Sequence, residues 1–435
     1  MNNIKAAVLT LGCRVNQYES DFIIKELEKY GVEICPFSDV CHIYIINTCS
    51  VTGESDRKSR QMIRRAVKTN PQAKVIVTGC YSQINPEEAG KIPGVSYVCG
   101  SNLKSQIPKI AMELLSKDQP CVVNVPSIFE GGFDTMCVGA SHTRTRAFVK
   151  IEDGCDSRCA YCIIPYTRGN VRSSLPENVI SEVKAIASEG CAEVVLTGIE
   201  TAAYGKDLKN GYTLADLIVE VGKIDGIERI RLGSLDPASI TKEFVDKVKT
   251  VKSLMPHFHI SMQSGNTKTL NAMRRKYNID MAKRNIDYLK ESIDNLMLSA
   301  DVITGFPGES DEDFEKTLEF FKENRFLHLH VFPYSKRKGT PACDMENQVD
   351  EGIKRQRLHL LEKQQREIKL QLLLEYVEKN PVVPVLFESY NGGSAQGHSP
   401  SFVDICVKSS RSLGGQIHNV KLTHTDGSLV FGELI

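Results

Sequence analysis

Ala147-Phe148-Val149-Lys150-Ile151-Glu152-Asp153-Gly154-Cys155-Asp156-Ser157-Arg158-Cys159-Ala160-Tyr161-Cys162 runs from an apolar stretch into three cysteines spaced C-x3-C-x2-C. A strand is predicted over 147–151, and five more apolar runs follow at 193–196, 229–232, 257–262, 296–304 and 327–332. Amphipathic runs such as 178–189 and 312–322 lie between them. Alternation of this kind implies parallel strands joined by right-handed crossovers. Six β/α units in about 190 residues suit a partial barrel whose reactive groups sit on loops after the strands, which is where the cysteines fall.

Outward from that segment the same grammar recurs. Short apolar runs at 6–9, 43–46 and 75–77 alternate with helical segments at 21–30 and 57–68, predicting an open parallel α/β domain. A Gly-, Ser- and Thr-rich stretch, 131–145, reads as a linker. Residues 352–379 form a long, mixed-charge helical pattern. Beyond it, runs at 382–387, 402–407 and 420–423 between Gly-rich turns predict a small β-barrel. The expected class is therefore α/β, divided at 1–130, 141–370 and 374–435.

Composition limits what such a chain does. Of 435 residues 41% are hydrophobic, so pervasive disorder and collagen-like repeats are excluded. Lys plus Arg equals Asp plus Glu at 54 each, so a nucleic-acid partner must be met by a local basic patch. No apolar run approaches the roughly 20 residues of a membrane helix, and the chain reads as cytoplasmic. Fourteen cysteines are too few for a disulfide scaffold of this length, and their clustering in a reducing compartment suggests metal.

Three thiolates on one short loop can hold one ion or one small cluster. Structural zinc takes four ligands, and no fourth Cys or His follows at finger or ribbon spacing. Three cysteines on a cubane of four irons leave one iron open, the entry to chemistry on S-adenosylmethionine. A second set is regular in context: Cys13 in Thr-Leu-Gly-Cys, Cys49 in Asn-Thr-Cys and Cys80 in Thr-Gly-Cys each follow a predicted strand. Those strand ends share one sheet edge, so the three either converge on a second cluster or are buried thiols. Cys35, Cys41, Cys99, Cys121, Cys137, Cys191, Cys343 and Cys406 share no context and are assigned to packing.

Several further strings carry a resemblance: Leu11-Gly12-Cys13-Arg14-Val15-Asn16-Gln17, Asn47-Thr48-Cys49-Ser50-Val51, Gly79-Cys80, His259-Ile260-Ser261-Met262-Gln263-Ser264-Gly265 and Gly305-Phe306-Pro307-Gly308-Glu309. With the Cys155 triplet, whose aromatic Tyr161 precedes the third Cys, they resemble the radical S-adenosylmethionine methylthiotransferases. That likeness covers essentially the whole chain and implies a methylthiotransferase domain, a radical S-adenosylmethionine barrel and a C-terminal TRAM-like RNA-binding barrel. The form of residues 10–20 resembles members that modify threonylcarbamoyladenosine beside the tRNA anticodon. Relatives acting on isopentenyladenosine, or on an aspartate of a ribosomal protein, are the alternatives, and a non-enzymatic iron–sulfur redox carrier or sensor is a third.

The resemblance implies two 4Fe-4S clusters, one on Cys155, Cys159 and Cys162, the other on Cys13, Cys49 and Cys80. The first reductively cleaves S-adenosylmethionine, and the resulting adenosyl radical abstracts hydrogen from carbon 2 of the adenine. The second carries the sulfur that is methylated and delivered. No acid/base pair is required, so no catalytic side chain is assigned. The partners implied are a tRNA anticodon arm, a reductase and a sulfur donor. Glu200 in Thr197-Gly198-Ile199-Glu200 matches the acceptor of the cofactor's amino group, although Ile199 replaces the second Gly of the family motif. Tyr161, Gly198, Ser234, Gln263 and Gly305 complete the expected cofactor contacts, or else are polar lining of the barrel mouth.

Other residues read in two ways. His257 with His259, and His328 with His330, face one side of their strands, as zinc ligands or as barrel-lining hydrogen-bonding groups. Arg57, Lys58, Arg60, Arg64 and Arg65 form a helical stripe that suits RNA phosphates or plain solvation. Arg144, Arg146, Arg158, Arg168 and Arg172 surround the triplet; Arg168 or Arg172 suits a carboxylate of cofactor or threonyl group. From Pro381 onward three basic residues face four acidic ones, which leaves uncharged contacts, such as base stacking by Phe402, for RNA.

Overall fold

A computed structural model describes residues 4–116, 119–139 and 145–435. Six parallel strands, β1 (Lys5–Thr10), β2 (Glu33–Ile34), β3 (Ile43–Thr48), β4 (Lys74–Gly79), β5 (Val95–Cys99) and β6 (Val122–Asn124), pair in the order β2-β1-β3-β4-β5-β6. Every residue of β3 is buried, as a continuous apolar run requires when helices cover both faces. The Arg14–Lys29 and Ile107–Leu115 helices cover one face, and the Gly53–Thr69 helix covers the other. Strand order reverses between β1 and β3, a switch point where a crevice opens at the strand carboxyl ends.

The barrel starts at β7 (Ala147–Lys150), followed by a short antiparallel pair, β8 (Glu152–Asp153) and β9 (Arg172–Ser173), that brackets the cysteine triplet. β10 (Glu193–Thr197) pairs in parallel with β7 on one side and with β11 (Arg229–Leu232) on the other, and β12 (His257–Gln263), β13 (Met297–Thr304) and β14 (His328–Pro333) form a second group. Bridges Ile230–Leu254 and Leu235–Ile260 join the groups into one six-stranded arc. Helices such as Pro176–Ser188 and Asp311–Asn324 bury their apolar stripes against it. The latter begins with a reciprocal Ser310–Asp313 capping box and buries Phe321 completely, a side chain whose truncation costs about 3–5 kcal/mol.

The long helix, Glu351–Lys379, leads into β15 (Val382–Asn391), β16 (Ser394–His398), β17 (Asp404–Lys408), β18 (Ile417–Thr425) and β19 (Val430–Leu434), which close as a barrel in the order β15-β16-β17-β19-β18. The sequence reading misses β16 and β19 because Gly397, Gly432 and polar neighbours dilute their apolar pattern. Among the described residues no helix is long and apolar enough to cross a membrane.

Two expectations are corrected. In the stretch read as a linker, Met136 and Val138 are buried with Tyr18, Phe148 and Val195. The Tyr18 hydroxyl bonds the Met136 carbonyl at 2.7 Å and Glu182 at 2.9 Å, and the Val138 N–H also donates to Glu182 at 2.9 Å. Residues 131–139 thus form a strap between sheet and barrel; its two apolar side chains are too few to show periodicity. Residues 140–144, with Arg144, lie outside the described residues. Phe402, expected to stack on bases, is instead stacked on His257 at 4.8 Å between the guanidinium groups of Arg231 (4.7 Å) and Arg146 (5.3 Å). With His398 at 5.0 Å as a fourth ring contact, it anchors the small barrel to the large one.

Of the histidine pairs, His257 and His259 are held by hydrogen bonds, and His330 meets the His259 ring at 5.4 Å. His259 Nδ1 meets Ser299 Oγ at 2.8 Å, its Nε2 meets Asp301 at 3.1 Å, and His257 Nε2 meets Ser299 Oγ at 3.1 Å. Burial pushes His328 down to about 4.

Candidate functional site

The three dispersed cysteines stand at the carboxyl ends of three adjacent strands: Cys13 after β1, Cys49 after β3 and Cys80 after β4. Positive φ at Gly12 and Gly79 makes this approach possible. A Cβ on Gly12 would lie 2.9 Å from Cys49 Sγ, and one on Gly79 would lie 2.4 Å from the Thr48 carbonyl. Asn16 laces the loops together, donating to the Leu11 carbonyl at 2.7 Å and the Thr48 carbonyl at 3.0 Å. From after β14, Arg337 bonds Ser50 Oγ and Asp56 at 2.8 Å each, tying the Cys49 loop to the barrel.

The triplet hangs from the end of β8. Cys155 N–H donates to the Gly169 carbonyl at 3.0 Å, and Cys162 N–H to the Cys159 carbonyl at 3.1 Å. Arg275 donates to Cys159 Sγ at 3.4 Å while Asp236 holds the same guanidinium at 2.7 Å. The Ile164–Arg168 helix begins two residues after Cys162 and packs against the helix that begins with Cys80, Cys80–Ile84. Both cysteine sets therefore open toward one seam between sheet and barrel.

Burial pushes the thiol of Cys49 up to about 11, of Cys155 up to about 11 and of Cys162 up to about 12. Among the described residues no three His, Cys, Asp or Glu side chains are gathered as ligands of a single ion. Two sets of three soft donors, each without a fourth, fit cubane clusters, whose own metal and sulfide atoms fill the space between thiolates.

Glu200 sits beyond β10, where burial, reinforced by Asp236, pushes its carboxyl up to about 7. Its Oε1 is buried with no hydrogen-bond partner, an open acceptor for a ligand's ammonium. Its N–H donates to Glu152 Oε2 at 2.8 Å, and a Cβ on Gly198 would lie 2.6 Å from that oxygen. Ser234 and Gln263 are half-buried at the ends of β11 and β12, Gln263 with φ of 63° after a bulge. The Tyr161 ring meets Phe306 edge-on at 6.4 Å. Gly305 differs from expectation: the space beside it is filled by the Lys354 side chain, 2.3 Å from a built Cβ, so the Lys354 stem rather than a ligand makes the close approach.

Of the basic stripe on the Gly53–Thr69 helix, Lys58, Arg64 and Arg65 are exposed, without an ion pair among the described residues. Arg57 is paired with Glu54 at 2.5 Å, and Arg60 lies over Tyr81 and near Glu88 at 3.5 Å. Arg168 is not open to a cofactor or threonyl carboxylate, as expected from sequence, but fully buried against Glu19 and Asp153. Glu19, Glu152, Arg275 and Arg337 carry no assigned role in the sequence reading. One signal was available: Glu19 falls on the buried stripe Asn16, Glu19, Ile23, Leu27, where a charge needs a partner. Cys137, assigned to packing, is exposed.

Comparison with known proteins adds to this geometry. Residues 149–321 match the Radical SAM superfamily and residues 5–100 match Uncharacterized protein family UPF0004. The chain is 38% identical, over 95% of its length and 92% of the relative's, to Threonylcarbamoyladenosine tRNA methylthiotransferase MtaB of Bacillus subtilis. It is 39% identical to the protein of that name from Aquifex aeolicus, over 87% and 90%. It is 34% identical to tRNA-2-methylthio-N(6)-dimethylallyladenosine synthase of Orientia tsutsugamushi, over 98% of each. Among solved structures, the radical S-adenosylmethionine methyltransferase TsrM of Kitasatospora setae superposes with a TM-score of 0.56 at 14% identity, covering 78% of this chain and 74% of that one, a likeness of fold.

Proposed function

The chain belongs to the radical S-adenosylmethionine tRNA methylthiotransferases, and from that premise we propose that it attaches a methylthio group to carbon 2 of threonylcarbamoyladenosine next to the tRNA anticodon. The observation that carries the reading is the packing of the Cys80–Ile84 helix on the Ile164–Arg168 helix that follows the triplet, in a chain alike, end to end, to methylthiotransferases. Cys155, Cys159 and Cys162 would hold one 4Fe-4S cluster, and Cys13, Cys49 and Cys80 the other. When bound, the clusters and S-adenosylmethionine supply the electron, radical and sulfur-transfer chemistry.

The protein's own groups bind, orient and exclude water. Glu200 accepts the cofactor's ammonium on its unpartnered Oε1, and Glu152 fixes the loop that presents it. Gly198 gives clearance over Glu152; Ser234, Gln263 and Tyr161 line the same mouth, and Gly305 lets Lys354 close its far side. Arg275 holds Cys159 by a charge-assisted bond. Lys58, Arg64 and Arg65, with Arg57 and Arg60 beside them, supply phosphate contacts to the anticodon arm beside the Cys49 loop. The chain works in the cytoplasm with a reductase and a sulfur donor, over the divisions 1–130, 141–370 and 374–435.

Mass spectrometry of tRNA nucleosides from cells with and without the gene tests this. Loss of the methylthio form with threonylcarbamoyladenosine accumulating is the expected result. Loss of methylthio-isopentenyladenosine instead would move the substrate to the dimethylallyl relatives' class, and no tRNA change would overturn the reading.

A further inference from the structure

The concave face of the barrel holds a polar patch that the proposed chemistry does not use. Side chains alternate along β12, β13 and β14. Phe258, Ile260, Leu298, Ala300 and Val302 are buried under the helices, which turns His259, Asp301 and His330 to the lumen. Two other sides of that lumen are covered. At the strand starts Phe402 of the small barrel lies on His257 and Arg231, and beside β7 and β10 Phe148 and Val195 are buried with Tyr18 and the 131–139 strap. On the edge strand β14, His330 is exposed, and Phe332, next along the same face, is 48% exposed. The lumen is therefore open along this strand.

The patch is ordered but incompletely paired. Asp301 and His330 are direct cross-strand partners. His259 meets Asp301 Oδ2 at 3.1 Å and Ser299 Oγ at 2.8 Å, and its ring lies 5.4 Å from that of His330. Among the described residues the second oxygen of Asp301 and both ring nitrogens of His330 have no hydrogen-bond partner. An acceptor and a donor thus stand side by side at an opening.

β12 relates this patch to the triplet. Arg275 donates to Cys159 Sγ at 3.4 Å and to the Ser261 carbonyl at 3.1 Å. His259 precedes Ser261 by two residues, about 6.6 Å along a strand, so the patch lies just inside the lumen from the triplet. An adenine with carbon 2 turned to the triplet carries its N6 substituent away from it, because the two exocyclic bonds diverge, and the open space on that side is the lumen. Phe332 offers a ring on which the base can stack.

We propose that Asp301, His259 and His330 bind the threonylcarbamoyl group of the substrate, Asp301 accepting from its hydroxyl or ureido N–H and His330 donating to its carboxylate. The inference rests on the threonylcarbamoyladenosine reading. The two negative charges take different partners, since Asp301 is held by His259 and the carboxylate by His330. An isopentenyl tail offers neither donor nor acceptor and leaves the patch unpaired, the mismatch by which a hydrogen-bonding site rejects an apolar analogue.

The test measures binding of the full chain, reconstituted with iron and sulfide, to three synthetic anticodon stem-loops by fluorescence anisotropy. They differ only in carrying threonylcarbamoyladenosine, isopentenyladenosine or unmodified adenosine at the target position. His330→Leu and Asp301→Asn are each expected to lower the ratio of threonylcarbamoyl to unmodified affinity about tenfold, the loss of one hydrogen bond to a charged group. His330→Asn, which keeps a donor, retains more of that ratio than His330→Leu. A folding defect lowers all three affinities together and leaves the ratio alone. A ratio unmoved in both His330→Leu and Asp301→Asn overturns the proposal. A parent chain that prefers the isopentenyl stem-loop overturns the substrate reading itself, an outcome distinct from a selective parent whose variants keep its ratio.

Discussion

The barrel is gripped at both ends by a fully buried glutamate, and the two grips differ in which acceptors complete them. At the strand starts, Glu193 takes Arg231 at 3.0 Å and Arg229 at 3.8 Å, while His398 of the small barrel meets it at 3.2 Å. The remaining guanidinium N–H groups there donate to the carbonyls of Pro384, His398, Ser399 and Pro400. At the strand ends, Glu19 draws in Lys104, Lys150 and Arg168, and the last two are shared with Asp153 while Arg168 also donates to Asn16. Main-chain carbonyls complete the first seam; side-chain acceptors complete the second.

The largest test of that contrast is substitution of the thiols. Cys159→Ala is expected to abolish reductive cleavage of S-adenosylmethionine, while Cys49→Ala leaves cleavage measurable and stops methylthio transfer; equal loss of cleavage in both would break the division between the sets. Next comes the buried carboxylate of the upper seam. Burial alone would push Glu19 up, but Arg168, Lys104 and Lys150 outweigh it and hold its carboxyl well below the usual range. Glu19→Ala strands those cations and should cost about 3–5 kcal/mol in urea unfolding.

The lower seam answers to acid. Burial pushes Glu193 up, but the His398 hydrogen bond and Arg231 outweigh it and bring it down to about 2. A carboxyl depressed in the folded state contributes stability above its unfolded value of 4.5, and that contribution is lost as pH falls toward 2. Limited proteolysis near Asn380 should therefore accelerate through that window, and Glu193→Gln should flatten the profile. The smallest expected effect lies outside both seams. Arg64→Glu with Arg65→Glu should weaken tRNA binding and reduce its salt slope by about 2 at unchanged iron content; an unchanged slope would assign these side chains to solvation.

Much of this was legible in the chain because the signals are local. The triplet is confined to residues 155–162, and β3 opens with the unbroken apolar run Ile43-Tyr44-Ile45-Ile46. The sheet-edge cysteines were legible at one remove, since each follows a strand and parallel strands end on one side. The strap at 131–139 was not legible, because Met136 and Val138 find their partners on elements far away in sequence. Nor was the packing of Phe402, whose π partners Arg146, Arg231 and His257 come from three other segments.

The α/β class with its small C-terminal barrel, and the family, could be read from local signals, because spacing, periodicity and Gly-Cys turns are written over a few neighbouring residues. Long-range packing, by contrast, sets the Cys80–Ile84 helix against the helix after the triplet, pairs Arg168 with Glu19 rather than a ligand, and fills the space at Gly305 with Lys354. The physical reason is that burial and charge pairing depend on what arrives from elsewhere in the chain. Arg168 and Glu19 are 149 residues apart, and no local pattern records that a surface-type side chain on each will be completely dehydrated by the other.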